Sequence, residues 1–253
     1  MKERLSHIDC VFRIHLARLR REAGPFILAA IVFPIGMYFF ANGIAGESVN
    51  AASLDRERVR FLAASIVFSI NLTSISWFGY LLLENRFTGR LKLFATLPIA
   101  PSSYIFGVLI FVVAQGVLGT IVLLIGGRVL DVHTDLTWAG VSLLALAILV
   151  SVLALGGLSV IISTLARSFS EGSLMTDALG AGMVLLAPVY YPAEALPIGL
   201  RQFAVVLPTS YLARLIEKLL NGDIAVGAEL VVLVGFAVLT LACGFRMMNW
   251  RQA

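Results

Sequence analysis

The chain has 253 residues, 59% of them apolar and only 13% charged, with a net charge of +4 and a mean hydropathy of +0.95. A water-soluble globule carries roughly a quarter of its residues charged, so this composition excludes a soluble fold and points to the bilayer as solvent. Long uncharged stretches without strand-type alternation exclude a membrane barrel and leave an all-α polytopic membrane protein.

In chain order, the first 22 residues hold Lys2, Arg4, Arg13, Arg18, Arg20 and Arg21. Leu5, Ile8, Phe12, Leu16 and Leu19 recur between them at three- and four-residue steps, which predicts an amphipathic interfacial helix over residues 1–23. The basic cluster places the N-terminus on the cytoplasmic side. Interleaving with an apolar stripe makes the tail a poor nucleic-acid binder, and its length is wrong for a cleaved leader.

Six spans are expected: about Pro25–Ile44 with a kink at Pro34, Phe61–Leu83, Tyr104–Ile125, Trp138–Leu165, Leu174–Val189 and Ile224–Phe245. An even number returns the C-terminus to the cytoplasm. The whole of 1–253 then forms one transmembrane domain in the cell's inner or plasma membrane. Cys10 and Cys243 fall near the cytoplasmic face, where thiols stay reduced.

Two connections stand out. In the cytoplasmic loop, residues 84–101, Phe87, Leu91, Phe94 and Leu97 share one helical face, with Arg86, Arg90 and Lys92 off it. Gly89 permits close approach by another surface, and Pro98 and Pro101 end the helix. Such a helix either docks in a partner's groove or lies on lipid. Further on, Pro188, Pro192, Pro197 and Pro208 interrupt an apolar stretch that fits neither a full span nor an ordinary loop. Broken helical pieces dipping into the outer leaflet and returning, over residues 190–213, fit it better.

Sites for chemistry are mostly missing. The sequence has no phosphate-binding G-x-x-x-x-G-K-[ST] loop, no G-x-S-x-G and no H-E-x-x-H, and His7, His15 and His133 lie outside the expected spans. No metal site, cofactor or catalytic residue is expected in this chain. Asp177 is expected in the first turn of the fifth span, where a helix start tolerates an acid. Asn71, Thr73, Ser74 and Ser76 in the second span either face a translocation path or hydrogen-bond between helices, the commoner use.

Glu84, Gly89, Leu91, Leu93 and Leu97-Pro98-Ile99, followed by Ser102-Ser103 and Gly107, resemble the loop after the second span of ABC-2 type transporter permeases. Pro188, Pro192, Leu196-Pro197, Leu207-Pro208, Tyr211 and Arg214 resemble that family's region before the last span. Arg90 departs from the pattern, which commonly has Thr or Ser there.

The resemblance implies the membrane subunit of a type V-like ABC exporter, working as a homodimer or heterodimer with a second permease. ATP and Mg would be held by a separate ABC ATPase. It further implies a coupling helix carrying Glu84, Phe87, Gly89, Arg90, Leu91, Phe94, Leu97 and Pro98. A re-entrant outer gate would carry Pro192, Glu194, Leu196, Pro197, Pro208 and Tyr211. Asn71, Thr73 and Ser74 are the candidates for the substrate path, and the substrate is expected to be amphipathic, lipid-like or drug-like. The alternative is a passive six-span channel or scaffold that needs no ATPase.

Overall fold

A computed structural model describes residues 2–21, 23–46, 51–96, 101–191 and 196–247. All regular structure among them is helical. We number the helices α1 (Lys2–Arg21), α2 (residues 23–46), α3 (residues 51–87), α4 (Arg90–Thr96), α5 (Pro101–Val129), α6 (Trp138–Leu165), α7 (Phe169–Leu186), α8 (Ile198–Val206), α9 (Pro208–Leu220) and α10 (Gly227–Met247).

Four of the described helical segments are long and apolar enough to cross a membrane: Asp55–Phe87, Ser102–Val129, Trp138–Leu165 and Gly227–Met247. They coincide with the expected second, third, fourth and sixth spans. α2 and α7 occupy the places of the first and fifth. The boundary of the fifth moves: α7 begins at Phe169, where Ser168 Oγ accepts from the Glu171 backbone N–H at 3.1 Å and Glu171 Oε2 accepts from the Arg167 N–H at 2.9 Å. That reciprocal cap starts the helix five residues before Leu174. Asp177 consequently lies in the third turn, not the first.

α3 is the centre of the bundle. Ile66, Val67, Ile70, Ile75 and Phe78 have no exposed surface, and α3 packs against α2, α5, α6, α7 and α9. Pro34 sits just after a π-helical turn, Leu28–Val32, in α2. A helix-interior proline removes one backbone donor, and a wide turn accommodates the break without ending the helix.

α6 and α10 pack against each other along much of their length. Thr240 Oγ1 donates to Ala154 O at 2.9 Å, and Gly157 and Gly244 present no side chain to the opposing helix. Small residues that let backbones approach are the usual basis of helix association in lipid, where burial of apolar surface supplies no drive. α1 lies along α5 by the same device, with Val11 seated over Gly107. Outward, α5 presents Phe106, Ile110, Leu118, Ile121 and Ile125, an apolar stripe suited to lipid.

Candidate functional site

The α3–α4 connection turns on Gly89, whose φ of +76° only glycine adopts without strain. Thr88 N–H bonds to Glu84 O at 2.9 Å and Gly89 N–H to Arg86 O at 3.2 Å, closing α3. Gly89 O then accepts from Lys92 N–H at 3.0 Å to open α4. Arg90 pairs with Glu84 at 3.1 Å, bracing the two helices across the turn. A methyl group at Gly89 would meet nothing within 4 Å, so glycine serves the backbone turn here and no close surface within this chain.

Inside the turn, two sets of contacts tie it to the bundle. Arg86 Nη1 donates to Thr164 O at 3.2 Å, to Ala166 O at 3.0 Å and to Ser163 O, so one guanidinium collects the last carbonyls of α6. A cation at a helix C-terminus satisfies orphan carbonyls and complements the helix dipole. Phe94 places its ring 5.0 Å from that of Tyr104, a fully buried residue in the first turn of α5. Tyr104 Oη accepts a 2.6 Å hydrogen bond from Asn85 Nδ2, and the His15 ring of α1 lies 6.4 Å from the tyrosine ring. Tyr104 thereby joins α1, α3, α4 and α5.

Leu91 is buried and Phe94 half-buried against the core, so the apolar stripe of α4 is spent on the chain's own packing. Phe87 is 40% exposed at the end of α3, on the other side of the turn. The outward apolar residue of α4 is Leu93, 68% exposed between exposed Arg90, Lys92 and Thr96. Counting a single helical face from Phe87 fails because Gly89 breaks the helix and resets its phase. Leu97 and Pro98 lie outside the described residues.

At the opposite end, α8 and α9 meet at Leu207, whose extended ψ of 131° breaks the helix before Pro208 at the first position of α9. Ser210 Oγ donates to Ala204 O at 2.6 Å, pinning the two pieces together. Thr209 Oγ1 donates to Met183 O at 2.8 Å in α7, while Leu220 O at the far end accepts from the Asp135 N–H in the α5–α6 turn at 2.9 Å. α9 thus runs from the side of α7 out to the polar turn. Pro208 is buried, Tyr211 is half-buried with the Arg214 guanidinium 4.6 Å from its ring centroid, and Leu196 and Pro197 precede α8. Pro192 and Glu194 lie outside the described residues.

The polar run of α3 is placed in the bundle interior. Asn71, Thr73 and Ser74 are each at most 2% exposed. Residues Leu72–Trp77 form a π-helical turn, which loosens the helix's own ladder and frees carbonyls. Ser159 Oγ of α6 donates to Ser74 O at 2.9 Å and Ile75 O at 3.1 Å, and Asn71 Nδ2 donates to Gly180 O of α7 at 2.9 Å. Thr73 Oγ1 bonds back to Ser69 O at 2.9 Å. The side chains of Asn71 and Ser159 thus join α3 to α7 and α6, whereas Thr73 bonds within α3 and Ser74 Oγ has no hydrogen-bond partner among the described residues.

Sequence reasoning missed Asn85 and the linking place of Tyr104, named Leu93 only within the family resemblance, and set Arg86 off the apolar face. A tyrosine three residues after Pro101, at the start of an apolar span, was a signal for Tyr104. Comparison with curated proteins finds no match. The family of ABC-2 type transporters matches over residues 10–220, which takes in α3–α4, the polar run of α3 and the α8–α9 pair. The chain belongs to the ABC-2 type transporter family, as a multi-pass membrane transport subunit.

Proposed function

We propose that this chain is the permease subunit of an ATP-driven exporter, powered by a separate ABC ATPase that docks on the α3–α4 turn. The observation that carries the reading is the two-sided character of that turn. Its outer side offers Phe87, Leu93, Arg90 and Lys92, while its inner side is wired to α6 through Arg86 and to α5 and α1 through Tyr104. A push on α4 would be carried by packed side chains and hydrogen bonds into three helices at once, as a coupling element requires.

In this reading ATP and Mg belong to the partner chain, and this chain contributes no hydrolytic residue. Six spans cross the cell's inner or plasma membrane, with α2 and α7 as the first and fifth and both termini in the cytoplasm. α8 and α9 form the re-entrant outer gate. The permease pairs with a second copy or a relative, and an amphipathic, lipid-like or drug-like substrate passes outward between them. Because Asn71, Thr73 and Ser74 are buried within one chain, this segment acts on the path by holding α3, α6 and α7 in register, through the Asn71 amide and the carbonyl of Ser74.

The test is purification of the tagged chain from its native membrane under gentle extraction, with identification of what accompanies it. Copurification of a Walker-motif ATPase supports the reading. A well-folded chain that brings no ATPase, even after crosslinking, contradicts it and leaves the passive channel to be tested by conductance.

A further inference from the structure

Asp177 is an exposed acid in the third turn of α7. At 1.5 Å rise per residue its carboxylate-bearing position lies about 9 Å beyond Glu171, the acid of the helix cap. Tyr80, which donates a hydrogen bond to Asp177 Oδ2, lies about 6 Å along α3 from Glu84, the acid at the turn. With α7 as the fifth span of the proposed permease, the pair is set one to two turns inside the polar border, with Asp177 exposed and Tyr80 half-buried. The cap that begins α7 at Phe169 removes the simple explanation of a helix-start acid.

Such a charge needs a partner, since ionisable groups at membrane depth pair with one another or face water-filled cavities. Among the described residues no Lys or Arg forms an ion pair with Asp177. Its surroundings are instead aromatic. Phe169 sets its ring 6.4 Å from that of Tyr80 at an interplanar angle of 32°, and it is itself 44% exposed. Trp77, one turn along α3 from Tyr80, holds its indole N–H buried without a hydrogen-bond acceptor. The exposed face of α7 beside Asp177 is apolar: Leu174, one turn before it, is 71% exposed, and Ala178 and Ala181 are exposed after it. Gly79 against Thr176 holds the two helices close enough to fix the arrangement.

We infer that Asp177, Tyr80 and Phe169 form a bilayer-accessible site for the cationic group of an amphipathic substrate. The carboxylate neutralises the charge, the ring faces supply cation–π attraction, and the apolar body of the ligand lies along Ala178 and Ala181. This deepens the transport reading, and rests on it, by naming a substrate class: amphipathic ammonium or phosphonium compounds.

The test is equilibrium binding of radiolabelled tetraphenylphosphonium to the purified full chain in lipid nanodiscs, with empty nanodiscs as reference. Saturable binding is expected, displaced by a long-chain quaternary ammonium and not by neutral triphenylphosphine oxide. Asp177→Asn should weaken binding by roughly tenfold or more, the scale of one lost charge contact, while Asp177→Glu retains it. Absence of saturable binding, equal displacement by the neutral oxide, or unchanged affinity in Asp177→Asn would overturn the site. So would loss of dimerisation in Asp177→Asn without cation binding by the native chain, which would assign the carboxylate to a second copy. The competition arm uses only the native protein, so a misfolded variant does not blunt the test. Binding requires no ATPase, so its failure is separate from failure of the exporter reading.

Discussion

Asn85 Nδ2 donates a 2.6 Å hydrogen bond to Tyr104 Oη, with both side chains buried. The bond spans the end of α3 and the start of α5, the two helices that α4 connects. Removing its acceptor in Tyr104→Phe strands an amide donor in the interior, which costs about 1–3 kcal/mol. Thermal unfolding in detergent should show the loss, and Phe94→Leu should lose less because it leaves the hydrogen bond intact.

Arg86→Met keeps the aliphatic stem and removes the guanidinium from the carbonyls of Thr164 and Ala166. The expected stability change is small, about 0.3–1 kcal/mol for a helix-end cation. The local effect is larger: amide exchange at residues 162–167 should quicken while the centre of α6 is unchanged. Equal protection in variant and native chain would mean that Arg86 does not hold the α6 terminus.

Gly157→Val tests the α6–α10 crossing. A methyl group at Gly157 would fall 2.9 Å from the Leu241 backbone nitrogen and closer still to the Thr240 side chain, so the helices must separate. Folded yield on size-exclusion chromatography should collapse. Gly235→Ala, where nothing lies within 4 Å, should leave yield unchanged or slightly raised.

Burial raises the Glu217 carboxyl above its ordinary value of 4.5, opposed by Arg60 and reinforced by Glu57. The folded state thus favours the protonated acid. Its contribution to stability is fully present below the ordinary value and lost as pH rises through the elevated folded one. Glu217→Gln should therefore melt above the native chain at pH 7, with the gap closing toward pH 4. A Glu217→Gln variant that melts below the native chain at pH 7, with the difference again vanishing on acidification, would reverse the sign and show that Arg60 dominates.

The second, third, fourth and sixth spans were legible because hydropathy is a one-dimensional property: twenty apolar residues between charges need no tertiary knowledge. The break at Leu207–Pro208 was legible for a similar reason, since proline's missing donor acts locally. What could not be read was direction. The apolar residues of α4 look alike in sequence, yet Leu91 and Phe94 turn inward and Leu93 outward, because the positive φ at Gly89 sets where the α4 helix begins. The role of Arg86 was hidden in the same way, since its partners lie 77 to 80 residues away in the chain. The start of α7 was misplaced because apolarity was weighed above the Ser168–Glu171 cap, although both cap residues were in plain view.

Site-specific photocrosslinking in native membranes decides whether an ATPase engages the outer side of α4. A photoreactive residue replaces Leu93 in one preparation and Leu118, on the lipid-facing stripe of α5, in another. We predict a nucleotide-sensitive adduct with an ATPase subunit from position 93 and none from position 118. No ATPase adduct at 93 from a folded, inserted chain, or equal adducts at both positions, would contradict the claim.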